Sequence, residues 1–200
     1  MPFTPVSFAV IGVSVVVFAL GLLNPSVNQW GALYGPYVRA GDWYRVGSFL
    51  FTHGGIIHIV FNMSTVWTLG RVLELNIGSL RFLLVSAITG VGSAVFVMWL
   101  NPTVPTVGAS GMILGWLGAM LPLANKAGRS QLQMVHAQVA VISFLPGVSW
   151  AGHLGGVAFG LACGFALRAG PSFFRAAAPV LVFAAAVLTV LLGTGRLGSL

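Results

Sequence analysis

The sequence is poor in charge: only 6% of its 200 residues are Asp, Glu, Lys or Arg, while 58% are hydrophobic. No soluble domain of this size hides that much apolar surface, so the class is a polytopic membrane protein. Acids are scarcer than bases, two against nine, which leaves a net charge of +7. In a water-soluble protein that balance suggests nucleic acid. Here the bases are scattered between apolar spans, which points to topology signals and lipid headgroups and away from nucleic acid. Cysteine is limited to Cys163, inside an apolar run. That excludes an intrachain disulfide and favours a packing role over a reactive one. The N-terminal apolar stretch lacks the basic lead of a signal peptide and is too long for one, so it reads as a retained span.

What is present is a series of apolar runs. Val6 to Leu23 is uncharged and long enough to cross about 30 Å of hydrocarbon at about 1.5 Å per residue. Asn24-Pro25 ends it. Residues 24–52 form a long first loop, with Trp30, Tyr34, Tyr37, Trp43 and Tyr44 among Arg39, Asp42 and Arg45. That mixture suits the headgroup level. Span 2 covers Gly55 to Gly70, with Arg71, Glu74 and Arg81 marking its far end and the next turn; span 3 is Phe82 to Leu100. Span 4, Ser110 to Leu123, is the odd one: about 14 residues make only about 21 Å of helix, too short to cross. Either the bilayer is pinched there or the helix begins inside the membrane. In the second case Thr103–Ala109 dips below the surface, where irregular backbone is tolerated only if buried in protein or facing a water-filled cavity. Span 5 is Leu132 to Leu145, span 6 Ala151 to Leu167 and span 7 Ala176 to Thr194, followed by a tail with Arg196.

Seven spans put the termini on opposite sides. The loops after spans 2, 4 and 6 hold Arg71, Arg81, Lys126, Arg129, Arg168 and Arg175, while the other side holds Arg39, Arg45 and Arg196. The positive-inside rule then puts the N-terminus in the cytoplasm and the C-terminus outside. The starts of spans 2, 4 and 6 all face outward, so His53, His58, Ser110 and His153 converge at similar depth on one side.

Span 6 carries Gly152, Gly156, Gly160 and Gly164, one every four residues, a smooth groove along one helical face. Span 4 carries a matching stripe, Gly111, Gly115 and Gly118. These helices are the natural pair, and His153 and Ser110 then meet at one end of the groove. Imidazole beside a serine hydroxyl is what nucleophilic activation needs. No third acid is available, since Asp42 lies in the first loop and Glu74 at the opposite membrane face. Any catalysis therefore runs on a dyad, with the imidazole oriented by packing. His58 and Asn62, four apart on one face of span 2, are hydrogen-bond donors. With the backbone N–H of Ser110 at a helix N-terminus they form a candidate oxyanion hole. His53, about a turn higher, supports that site or gates water. The bland readings are close packing by Ser110, a satisfied interior role for His153 and His53, and interhelical hydrogen bonding by Asn62. His136, near the cytoplasmic end of span 5, matches no motif and reads as interfacial.

Three motifs in register carry a family resemblance. His53-x4-His58-x3-Asn62, Gly108-Ala109-Ser110-Gly111 and Gly152-His153-x2-Gly156-x3-Gly160 resemble the rhomboid intramembrane serine proteases in order, spacing and placement on spans 2, 4 and 6. Trp43-Tyr44-Arg45 resembles the family's Trp-Arg element in the first loop, here with Tyr44 directly before the arginine. Gly70-x3-Glu74 resembles its signature at the cytoplasmic end of span 2. The resemblance covers residues 5–168 and implies an all-α polytopic membrane helix bundle. Its six-helix catalytic core occupies residues 1–170, and an additional C-terminal transmembrane helix and short tail occupy 171–200. It implies Ser110 as nucleophile, His153 as general base, His58 and Asn62 as oxyanion donors with His53 beside them, and no cofactor or metal. Substrates are then single-span membrane proteins in the lipid bilayer, cut at a site with a small residue before the bond and helix-breaking residues nearby. Entry involves movement of span 5 and of the 146–152 loop. The charge bias fits a prokaryotic inner (plasma) membrane. Two other functions compete: a non-catalytic relative that retains membrane clients, and a small transporter with a His-lined cavity. Retention of both Ser110 and His153 counts against the first. The absence of inverted repeats counts against the second.

Overall fold

The computed structural model describes residues 3–194; Arg196 and the rest of the tail lie outside the described residues. Helix α1 (Pro5–Leu23) is followed by three short helices in the first loop, α2 (Ser26–Gly31), α3 (Gly35–Arg39) and α4 (Arg45–Ser48). Then come α5 (Ile56–Thr65), a π-helical turn (Val66–Gly70) and α6 (Arg71–Ile77), which run on as one span, Ile56–Ile77. The chain continues through α7 (Ser79–Leu100), α8 (Ser110–Leu123), α9 (Lys126–Ile142), α10 (Trp150–Ala169) and α11 (Pro171–Gly193). Among the described residues the only bridge between extended segments pairs Leu33 with Thr106. Among the described residues five helices are long and apolar enough to cross a membrane: α1, the α5–α6 span, α7, α10 and α11. Helix α8 is apolar but short, and α9 meets neither description.

Two expected boundaries move furthest, the end of span 2 and the start of span 5. Span 2 continues past Gly70 to Ile77, because the charges thought to end it are provided for inside the bundle. Glu74 is 2% exposed and accepts the backbone N–H groups of Val6 (3.0 Å) and Ser7 (2.9 Å) and the Ser7 hydroxyl (2.7 Å). A carboxylate on the open amides of a helix N-terminus is held by charge-assisted hydrogen bonds and by the helix dipole. Arg71 lies over the Trp67 ring at 4.3 Å, and its Nε donates to Thr4 Oγ1 at 3.2 Å. The fifth helix starts at Lys126, ahead of the apolar run, because the Asn125 side chain caps it by accepting from Gly128 N at 2.9 Å. It ends at Ile142, and no residue within it is buried.

The centre of the fold is α10, packed against α8 on one flank and α7 on the other. On α10, Gly156, Gly160 and Gly164 face the carbonyls of Gly111, Gly115 and Ala119 on α8, and a Cβ at any of the three would strike the opposing carbonyl oxygen. The two backbones touch because no side chain separates them. On the α7 side, Gly155 faces the carbonyl of Gly92, and Ser93 fills the gap beside Gly111 and Gly152. Trp116, fully buried on α8, donates from Nε1 to Ser86 Oγ at 3.0 Å and lies over Gly70. Cys163, on α10, is buried. Helix α11 packs on α7 and α10, and its Gly193 abuts the Trp43 ring of the first loop.

Gly156→Val places three carbons where the Gly111 carbonyl now sits. It is expected to destabilise the bundle by about 1–3 kcal/mol or more, read as a lower unfolding midpoint in detergent. Substitution at Gly147, which has open space around its Cβ position, is expected to leave that packing alone but to strain a backbone of φ +83°. Gly156→Val unfolding at the wild-type midpoint would contradict the backbone contact.

Candidate active site

The approach to Ser110 is irregular backbone, and its polar groups are paired with the first loop. Leu33 and Thr106 exchange N–H···O bonds at 2.9 Å each way, Gly35 N donates to Pro102 O at 2.7 Å, and Gly108 N donates to Phe49 O at 2.8 Å. Buried irregular backbone needs such partners. Gly108 has φ +117°, a conformation that glycine adopts without strain. The first loop is itself held by Arg45, 3% exposed, whose guanidinium reaches Asp42 Oδ2 (2.9 Å), Gln29 O (2.7 Å) and Ala32 O (2.9 Å) and lies over the Tyr37 and Tyr44 rings. Tyr44 thus shields the arginine while Trp43 meets α11.

Helix α8 opens at Ser110, so the amides of its first turn have no intrahelical acceptor. The Ser110 side chain is partly exposed. Its Oγ lies 2.9 Å from Nε2 of His153, which is 8% exposed near the start of α10. The glycine register of α8 and α10 sets this distance, because Ser110 and His153 each neighbour a glycine of the contact face.

His58 and Asn62 come from α5. The His58 ring puts Cε1 and Nε2 where a Cβ on Gly108 would stand, two residues before the serine. Asn62 is buried one turn on, its amide donating to the His58 carbonyl at 2.9 Å. His53 is fully buried, its Nδ1 3.2 Å from Phe51 O, its Nε2 without a partner, and its ring edge-on to His58 at 5.1 Å between centroids. Burial first, and then the neighbouring His58, lowers the His53 imidazole from 6.5 to about 4. Ser110, His153, His58 and His53 therefore share one neighbourhood, with Asn62 on the adjoining turn. His136 lies apart, in the middle of α9, bonded by Nδ1 to Leu132 O at 2.7 Å. No three of His, Cys, Asp and Glu among the described residues come together as metal ligands.

One neighbour of the imidazole escapes a reading of the sequence. Ser143, directly after α9 and 6% exposed, places Oγ 2.6 Å from His153 Nδ1. The available signal was a lone hydroxyl in the run from Val139 to Leu145, since a polar residue in such a run tends to face protein.

Residues 40–170 match the family model described as the rhomboid domain. Among curated proteins the chain is 31% identical over 169 residues to Rhomboid protease GluP of Bacillus subtilis (strain 168), covering 79% of this chain and 33% of that protein. It is 30% identical over 165 residues to RHOMBOID-like protein 5 of Arabidopsis thaliana (77% and 53%). It is 36% identical over 170 residues to Rhomboid-like protease 5 of Toxoplasma gondii (76% and 20%). The chain thus matches from a fifth to about half the length of these relatives.

The His53 environment has a thermodynamic consequence. Its folded-state value is depressed, so between about 6.5 and about 4 the unfolded chain binds a proton that the folded chain refuses. Stability therefore falls as pH drops through that window, with His53 contributing up to about 3 kcal/mol of the loss. Unfolding of wild type and His53→Gln in detergent from pH 7 to 4 is expected to show a shallower decline in the variant. Parallel curves would place His53 in a more hydrated setting.

Proposed function

The chain belongs to the rhomboid family of multi-pass integral membrane proteins, and from that premise we propose that it is an intramembrane serine endopeptidase acting through a Ser110–His153 dyad. The observation that carries this reading is the 2.9 Å contact between Ser110 Oγ and His153 Nε2 at the start of α8. The proton of Ser110 passes to Nε2 as Oγ attacks the substrate carbonyl carbon. The tetrahedral oxyanion accepts hydrogen bonds from the Ser110 N–H, the Asn62 amide and His58. The imidazolium then gives its proton to the departing amine, leaving an acyl-enzyme on Ser110. Water, deprotonated by the same imidazole, attacks the ester and releases the acid. Neither carboxylate of the chain takes part: Asp42 is bonded to Arg45 and Glu74 caps α1.

The substrate is a single-span membrane protein. Its helix must unwind locally to present a carbonyl, so helix-breaking residues near the cleavage point help, and a small residue precedes the bond. The catalytic core occupies residues 1–170 as six spans, with α9 as the fifth; α11 and the tail, 171–200, are an added seventh. The N-terminus lies in the cytoplasm of a prokaryotic cell and the C-terminus outside. Entry proceeds by displacement of α9 with the 146–149 turn that precedes α10, and closure returns Ser143 to His153. The lack of any buried residue within α9 supports this.

Labelling with a fluorescent fluorophosphonate in detergent, and cleavage of a model single-span protein in lipid, test the proposal. Wild type is expected to label and cleave. Ser110→Ala is expected to lose both while unfolding normally, and His153→Ala to fall by at least about a hundredfold. Cleavage that survives Ser110→Ala would overturn the assignment.

A further inference from the structure

Ser143 has two hydrogen-bond neighbours and one proton. Its Oγ is 2.7 Å from the Val139 carbonyl oxygen and 2.6 Å from His153 Nδ1. A carbonyl can only accept, so the hydroxyl proton points to Val139. The contact with His153 must then be Nδ1–H donating to Oγ. A neutral imidazole protonated at Nδ1 carries its lone pair at Nε2, and Nε2 is the nitrogen facing Ser110. The opposite arrangement, Ser143 donating to Nδ1, leaves two oxygens 2.7 Å apart without a proton and puts a hydrogen on Nε2, where the base needs a lone pair. The polar groups thus run in one direction: Ser110 Oγ–H to Nε2, Nδ1–H to Ser143 Oγ, and Ser143 Oγ–H to Val139 O.

We infer that Ser143 is a positioning residue that fixes His153 as the Nδ1–H tautomer and holds its ring toward Ser110. This rests on the peptidase reading for its purpose, although the tautomer can be observed without any activity. Which imidazole nitrogen is protonated is set by the partner of the other. No carboxylate takes that place, because both acids of the chain are bonded elsewhere. The Ser143 hydroxyl is oriented by a carbonyl of the last turn of α9. A turn through Gly147, φ +83°, brings the chain from Ser143 back to the start of α10. There the Ser149 side chain accepts from Gly152 N at 3.3 Å.

The test uses full-length protein in detergent at about pH 8, above the ordinary imidazole range, with Ser143→Ala, Ser143→Thr and, to identify the resonance, His153→Asn. Fluorophosphonate labelling rates are measured beside two-bond ¹⁵N–¹H spectra of ¹⁵N-histidine protein, which distinguish the tautomers. Ser143→Ala is expected to label about tenfold more slowly, the effect of one lost hydrogen bond on a barrier. Its His153 signals should move from the Nδ1–H pattern toward Nε2–H. Ser143→Thr, which keeps the hydroxyl, is expected to restore the Nδ1–H pattern and most of the rate. The inference is overturned if wild-type His153 is the Nε2–H tautomer. It is also overturned if Ser143→Ala leaves spectrum and rate unchanged, or if Ser143→Thr keeps the Nδ1–H pattern yet labels as slowly as Ser143→Ala. A wild type that shows the Nδ1–H pattern, lost in Ser143→Ala, but never labels would sink the peptidase reading and leave the tautomer assignment standing.

Discussion

Two helix backbones lie in direct contact, and the candidate site depends on that contact. Where α10 meets α8, glycine faces a main-chain carbonyl at three successive turns, and no side chain can adjust the spacing. The separation is therefore fixed by atoms that have no rotamers. Ser110 and His153 project from the same end of this contact. A hydrogen bond of 2.9 Å between side chains from distant parts of the sequence needs such a rigid base. Helix α7 completes the base by filling the seam with Ser93 and receiving Gly155 against Gly92.

The two acids show how an almost uncharged bundle uses charge. Each carboxylate anchors structure at a distance from the dyad. Glu74 joins the α5–α6 span to the first turn of α1, and Asp42 steadies the arginine on which the first loop folds. That loop in turn pairs with the backbone leading to Ser110. Buried charge is tolerable when every lone pair and proton has a partner, and both clusters approach that condition. The imidazole at the site is left with hydroxyl neighbours on both nitrogens, one on α8 and one after α9.

The glycine spacing and the two polar residues beside it made the pairing of α8 with α10 legible in the sequence, because a four-residue repeat of glycine has one geometric meaning on a helix. The start of α8 at Ser110 was legible too, since turn residues precede it. The end of the second span was not. Arg71 and Glu74 read as a water boundary, and only the fold shows the α1 amides and aromatic rings that receive them. The start of the fifth helix is not legible in the apolar run, because it rests on a cap, Asn125. The role of Ser143 is hidden for a related reason: its second partner, a ring across the Gly147 turn, is set by tertiary structure.

The π-helical turn Val66–Gly70 separates two parts of one span, His58 and Asn62 on one side and Glu74 on the other. Each part is fixed independently, one by the serine loop and the other by α1. The number of residues between them therefore acts as a phase. Rewinding the same residues as an uninterrupted α-helix would rotate one part by about 100° and shift it about 1.5 Å relative to the other. The helix could keep its grip on α1 or present its donors to Ser110, but not both. By taking up one residue more than an α-turn holds, the wide turn works as a key that sets the angular registration of the whole span.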